Sequence, residues 1–196
     1  FWKRTLKRID VTSRSLAALI EHGSCFVGVL AEILFAVDRS YMMEDEFEGD
    51  NRPMAAITLT DANFGRYPMG NAITRLQTRF LAEPEHVEDL KSSIGQAMEA
   101  EEANDLGLVT VTLDDIDWED EVRIFIEERV SFSPDAMTGM EANLRFAGPE
   151  TMETRIFGRL TAWQNWIFNR PNAVGPDGAL QRYGTGVRGD YTMERV

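Results

Sequence analysis

The stretch over residues 15–38 constrains the fold most, because it joins a short apolar strand to an apolar helix through a glycine turn. The run SLAALIE over residues 15–21 predicts a buried strand. Residues 25–37 are apolar except for Glu32 and predict a buried helix that ends at Asp38. Burying a carboxylate costs several kcal/mol unless a partner compensates. Its pKa is then commonly raised, which suits a general acid or base near neutral pH.

Further along the chain, short strands continue to alternate with helices, which favours the α/β class. Residues 54–60 and 107–113 predict two more strands. Between them, residues 72–82 and 86–104 predict helices, the first capped by Asn71. Residues 44–53 predict an acidic loop. Amphipathic helices are then expected near residues 117–131, 134–147 and 150–169.

These elements divide the chain into three expected regions. Residues 1–115 form part of an α/β core, residues 116–171 a helical region, and residues 172–196 an irregular, glycine-rich tail. Three short strands are too few for a closed or doubly covered sheet, and the sequence starts at Phe1 without a Met. We therefore expect the chain to be the second part of an α/β domain whose first strands lie upstream.

Charge and composition exclude several classes of protein. Residues 81–120 hold 13 acidic side chains against Lys91 alone, so this stretch accounts for almost all of the net charge of −13. It is expected to be a solvated surface or, alternatively, an acidic docking surface. Nucleic-acid binding is excluded, because it needs clustered cationic side chains. With no run of 18 apolar residues and a single cysteine, Cys25, we expect no membrane span and a reducing, cytoplasmic location.

The common catalytic motifs are absent from the sequence. It has no phosphate-binding loop, GxSxG elbow, HExxH motif or dinucleotide fingerprint. His22 and His86 are the only histidines, so we expect no metal site. The chemistry is then expected near Glu32. There, the helix start at Gly28 and Val29 offers free N–H groups for a developing oxyanion.

Three ordered segments resemble the crotonase (enoyl-CoA hydratase/isomerase) superfamily. In ALIEHGSCFVGVLAEILFAVDRSYM, Glu32 and Asp38 keep the family's spacing of six residues. The run LTDANFGRYPMGNAITRLQTRF is similar to the family segment P-E-x-x-x-G-x-x-P-x-x-G-x-x-x-R-L, and EANDLGLVT is similar to a later strand entry. The resemblance implies an α/β, crotonase-like (ClpP/crotonase spiral) fold, with this chain as its carboxy-terminal part and a helical cap.

The same resemblance implies which residues act. Glu32 and Asp61 fall where the family has its two catalytic carboxylates, and the backbone N–H groups of Val29 and Gly28 fall at the oxyanion hole. Further candidates for the substrate pocket are Asn63 and Tyr67.

Each carboxylate also has a structural alternative. Glu32 could pair with Arg39 or with a backbone donor, and Asp61 could cap the turn at residues 60–63. Gly28 stands alone where the family turn has consecutive glycines.

Longer phrases, including DDIDWEDEVRI and RPNAVGPDGALQRYGTG, resemble one branch of the superfamily. That branch implies a lyase of aerobic benzoate degradation. By this resemblance, the protein would open 2,3-epoxybenzoyl-CoA and cleave a C–C bond hydrolytically, giving an aliphatic semialdehyde CoA thioester and formate. Coenzyme A would enter only as part of the aromatic acyl-CoA substrate, with no separate cofactor, and a homo-oligomer is expected. The alternatives are a generic enoyl-CoA hydratase/isomerase and a non-catalytic half that packs and oligomerises.

Overall fold

The computed structural model describes residues 1–45, 49 and 51–192. Four residues of the predicted acidic loop over 44–53, and the last four residues of the predicted tail, lie outside that part. Within it, the chain forms two compact units. The first comprises Phe1–Asp10 and Leu16–Glu121, and the second comprises Val11–Ser15 and Val122–Val196.

The bounds of the regular elements are as follows. The strands are β1 (Ala17–Ile20), β2 (Phe26–Val27), β3 (Arg39–Met43), β4 (Ile57–Thr58), β5 (Ala97–Met98) and β6 (Val111–Leu113). The helices are α1 (Trp2–Ile9), α2 (Ala31–Leu34), α3 (Arg75–Arg79), α4 (Pro84–Asp89), α5 (Ala100–Asp105), α6 (Asp115–Ser131), α7 (Pro134–Leu144), α8 (Thr161–Ile167), α9 (Pro171–Val174) and α10 (Ala179–Arg182). Short 3₁₀ helices cover Asp61–Phe64 and Leu90–Ser93, and a π-helical stretch covers Thr154–Leu160.

Two small sheets organise the first unit. One is wholly parallel, in the order β1-β3-β6, with Leu19 opposite Tyr41 and Tyr41 opposite Val111. In the other, of order β2-β4-β5, β2 and β4 are parallel and β5 is antiparallel. Side chains from both sheets are fully buried, among them Ile20 and Ile57. The α/β class predicted from the sequence is confirmed.

The segment after β1 differs from the single helix predicted over residues 25–37. Its start is the strand β2, and only the four-residue helix α2 follows. Between them, Gly28 has a φ of 54°, a left-handed conformation that breaks a right-handed helix. The strand β3 comes directly afterwards and was not predicted. A continuous apolar run does not separate buried helix from buried strand by periodicity alone.

Two further helix predictions needed correction. Thr74, rather than Asn71, caps α3: its side chain accepts from the Gln77 N–H, and the side-chain oxygen of Gln77 accepts from the Thr74 N–H. The stretch over 86–104 is not one helix, because Gly95 has a φ of 81° and β5 follows it. Backbone pairing with β4 therefore prevails over the helical propensity of this stretch.

The chain is mainly helical after residue 115. The three helices expected between residues 117 and 169 are present as α6, α7 and the π-helical stretch continued by α8. Gly139 permits α8 to lie against α7, since a Cβ atom there would come within 2.4 Å of Ile167 Cδ1. In the stretch predicted to be an irregular tail, α10 and most of α9 are helical, and α9 starts at a proline. None of the described helices is both long and apolar enough to cross a membrane.

Candidate active site

Glu32 lies in the first turn of α2 and is buried, with 1% of its surface exposed. The turn of Gly28 and the pairing of β2 with β4 direct the start of α2 toward the interior of the first unit. The carboxylate therefore lies where the sequence predicts it, on an apolar element. Partners drawn from distant parts of the chain must offset the cost of its burial.

Two side chains donate directly to this carboxylate. Asn63 Nδ2 lies 2.8 Å from Glu32 Oε1, and Arg75 Nη1 lies 2.8 Å from Glu32 Oε2. Each carboxylate oxygen thus receives one charged or polar donor. The alternative partner Arg39 does not take this place, because its Nη1 donates to the hydroxyl of Tyr41.

Arg75 is itself held by a second buried carboxylate. Its Nε lies 2.9 Å from Asp10 Oδ1 and its Nη2 lies 2.6 Å from Asp10 Oδ2, a bidentate ion pair. Nη1 also donates to the carbonyl of Tyr67 at 3.0 Å. Arg75 is 2% exposed and Asp10 3%. We call Asp10, Arg75 and Glu32 the buried triad; with all three ionised, it has a net charge of −1.

The protonation of Glu32 reflects these surroundings. Desolvation by burial raises the pKa of Glu32 above its ordinary value and is the largest effect. Hydrogen bonds from Asn63 and Arg75 and the positive charge of Arg75 lower that pKa, whereas the negative charge of Asp10 raises it further. The net direction is upward, as the sequence predicts for a carboxylate in an apolar helix.

Asn63 contacts other parts of the protein with its whole amide. Besides Glu32, its Nδ2 donates to the Gly28 carbonyl at 2.8 Å, and its Oδ1 accepts from the Thr60 N–H at 2.9 Å. It is 1% exposed. Both donor hydrogens of the amide are engaged, so Asn63 orients Glu32. Its assignment to the substrate pocket stays a prediction.

The predicted oxyanion donors differ from each other. The Gly28 N–H donates to the Thr58 carbonyl at 3.2 Å, so it is already engaged in the structure, and its place in an oxyanion hole stays a prediction. In the described part of the chain, the Val29 N–H has no hydrogen-bond acceptor, and Val29 is half-buried. Val29 precedes Glu32 by three residues. The geometry therefore keeps Val29 as the candidate donor.

The structure gives Asp61 and Tyr67 different surroundings. Asp61 is exposed at the start of the 3₁₀ helix Asp61–Phe64, whereas Thr60 caps that helix. The structural alternative of Asp61 as the cap is therefore wrong. Tyr67 is half-buried, and its carbonyl, through Arg75, belongs to the surroundings of Glu32.

The sequence interpretation missed Asp10 and the role of Arg75. Arg75 lies in the segment that resembles the family pattern, but the sequence does not show that it is the partner of Glu32, which a buried acid requires. Asp10 follows Lys7 and Arg8, the basic side chains of the last turn of α1. An acid is unfavourable at a helix carboxyl end, and that was the one available signal. In the described residues, no group of three His, Cys, Asp or Glu side chains could hold a metal ion.

Solved structures share this architecture. The chain superposes on the enoyl-CoA hydratase of Geobacillus kaustophilus HTA426 with a TM-score of 0.70 and 15% identity, covering 97% of this chain and 66% of that one. The Bacillus anthracis enoyl-CoA hydratase gives a TM-score of 0.70, 15% identity and coverages of 97% and 67%. The Thermoplasma volcanium GSS1 enoyl-CoA hydratase gives a TM-score of 0.64 and 18% identity, covering 87% of this chain and 61% of that one. These structures show the crotonase fold.

One curated protein is much more similar in sequence to this chain than these solved structures are. Benzoyl-CoA-dihydrodiol lyase of Aromatoleum evansii is 56% identical over 194 residues, which is 99% of this chain and 34% of that protein. The chain therefore has the crotonase fold and is similar in sequence to this lyase. It spans about a third of the length of this curated relative. No family model matches it. Of the buried triad, only Glu32 lies on the strand, turn and helix that the sequence resemblance indicated, whereas Asp10 ends α1 and Arg75 begins α3.

Proposed function

We propose that the protein is a lyase that opens the ring of 2,3-epoxybenzoyl-CoA and cleaves a C–C bond. The observation that carries this proposal is the 56% identity to benzoyl-CoA-dihydrodiol lyase along almost the whole chain. The crotonase fold supports acyl-CoA chemistry in general, because its solved relatives are enoyl-CoA hydratases. Coenzyme A belongs to the substrate in this scheme, and no separate cofactor enters it.

The chemistry is proposed in terms of the residues at the site. The Val29 N–H donates to the thioester oxygen and stabilises the enolate that forms as negative charge is delocalised from the ring onto that oxygen. Glu32 and Asp61 divide the proton transfers: one activates water, and the other protonates the opening epoxide oxygen. Two waters are consumed in total. The carbon removed from the ring leaves as formate, and a six-carbon semialdehyde remains on coenzyme A.

The raised pKa of Glu32 supports its proposed part in the proton transfers. A carboxyl whose pKa is raised toward neutral pH can both give and take a proton. Because Glu32 is 1% exposed, its role requires a water or the substrate to reach Oε1 beside Asn63. The oligomeric and cytoplasmic character expected from the sequence remains part of this proposal.

The test is turnover of 2,3-epoxybenzoyl-CoA by the purified protein, with formate and the product thioester quantified by mass spectrometry. Glu32→Gln and Asp61→Asn are each expected to lower kcat by roughly 10²–10⁴-fold, the usual contribution of a general acid or base. Glu88→Gln is the matched control, because Glu88 is an exposed carboxylate paired with Lys91. Hydration of crotonyl-CoA without release of formate would instead favour the generic hydratase. Full activity of Glu32→Gln would show that Glu32 is not the acid or base.

A further inference from the structure

The buried triad contains more charge than is needed to position one catalytic acid. Arg75 alone could satisfy Glu32 Oε2. Yet Asp10 takes two of the guanidinium donors, and it does so from the carboxyl end of α1, where a helix dipole disfavours an acid. Burial of a second carboxylate at an unfavourable place needs a compensating role or a strong partner.

We propose that Asp10 and Arg75 are positioning residues that together set the pH range over which Glu32 exchanges its proton. Arg75 fixes the direction of the Glu32 carboxylate, and Asp10 fixes Arg75 through the bidentate contact. By pairing with Arg75, Asp10 also offsets the positive charge that would otherwise keep Glu32 ionised. This inference rests on the proposed acid–base role of Glu32.

The geometry assigns opposite electrostatic effects to the two residues. Arg75 Nη1 is 2.8 Å from Glu32 and favours the carboxylate form. Asp10 lies on the far side of the guanidinium and favours the protonated form. Among the described residues, these are the two charged groups that shift the pKa of Glu32; Asn63, on the 3₁₀ helix, contributes a neutral donor. A triad with Glu32 protonated is neutral overall, so proton uptake leaves the Asp10–Arg75 ion pair intact.

Two roles of the Asp10–Arg75 ion pair, a purely structural one and one that also sets the protonation of Glu32, predict different results. If the pair only holds α1 against α3, removing either member loosens Glu32 in the same way. If it sets protonation, the two removals move the titration of Glu32 in opposite directions. Asp10→Asn keeps a similar shape and an acceptor for Arg75 but removes the negative charge. Arg75→Gln removes the positive charge and leaves Asp10 in place.

The experiment measures the titration of the Glu32 side chain by carbon NMR of glutamate-labelled protein, with the signal assigned by its loss in Glu32→Gln. For Asp10→Asn, we expect the midpoint to fall by about one pH unit, the lower end of the effect of one nearby charge. For Arg75→Gln, we expect it to rise. The double variant Asp10→Asn/Arg75→Gln removes both charges, and its midpoint is expected to lie between the two. Glu88→Gln, far from the triad in the sequence and exposed, is expected to leave it unchanged.

Should Arg75→Gln fail to fold, Asp10→Asn and the double variant still decide the question. An unchanged or raised midpoint in Asp10→Asn overturns the proposal. The pH profile of kcat/KM for the epoxy thioester is measured alongside and is expected to move in the same direction as the midpoint. If the NMR midpoints move as expected but no variant or parent turns over the thioester, the proposed function fails while the assignment of the triad stands.

Discussion

Replacing Arg75 with glutamine is expected to destabilise the protein strongly, with a loss that grows with pH. Arg75 is 2% exposed and donates to Asp10, Glu32 and the Tyr67 carbonyl. Glutamine cannot bridge two carboxylates and a carbonyl, so two buried negative charges lose their counter-ion. Removing one partner of a buried ion pair typically costs about 3–5 kcal/mol. Since each 1.4 kcal/mol is a factor of ten, the unfolding equilibrium is expected to change by roughly 10²–10⁴-fold.

The pH dependence follows from the charges that remain. Without the guanidinium, the influences left on Glu32 are burial and the charge of Asp10, which raise its pKa, opposed only by Asn63. The folded variant then binds a proton more tightly than the unfolded chain does, so its stability rises as pH falls through the raised pKa. We therefore expect the loss caused by Arg75→Gln to be larger at pH 8 than at pH 5.

The assay is urea unfolding followed by circular dichroism at both pH values, with midpoints and slopes compared between the parent and the variant. Lys91→Gln is the matched control, because it removes an exposed cation from the Lys91–Glu88 ion pair. Its effect is expected to stay within about 0.5 kcal/mol at either pH. A loss below about 1 kcal/mol for Arg75→Gln, or one that is the same at pH 5 and pH 8, would refute the view that Arg75 neutralises the triad.

Two further substitutions test the same region. The pKa of Glu32 is raised in the folded state, so the parent loses stability as pH rises through that pKa. Glu32→Gln lacks this loss and is expected to become more stable relative to the parent as pH rises. The reverse trend in urea unfolding would contradict the raised pKa. Gly28→Ala is expected to cost more than Gly95→Ala. Both glycines have a positive φ, in which any other residue loses about 1–2 kcal/mol of stability. Of the two, only Gly28 would also bring the new Cβ atom against a neighbour, Thr60 Oγ1 at 3.1 Å. Equal losses of thermal stability would show that the contact with Thr60 is unimportant.

Local sequence determined several features of this protein by itself. Apolar runs bounded by glycine predicted β1, and the helical periodicity after residue 116 predicted α6 to α8. The isolated carboxylate of Glu32 in an apolar run was enough to predict burial and a raised pKa. These features depend on neighbours within a few residues, where propensity and periodicity act. The ordered family segments likewise indicated the crotonase fold.

Tertiary structure decided the division of residues 25–43 and the partners of Glu32. Pairing of β2 with β4, and of β3 with its neighbours, imposed strands on a run that periodicity could not resolve. Asp10 and Arg75 are 65 positions apart in the sequence, and Asn63 is 31 positions from Glu32. No local rule links such residues. They meet because burying Glu32 makes a paired arrangement far lower in free energy than an unpaired one, and only the folded chain brings the partners within hydrogen-bonding distance.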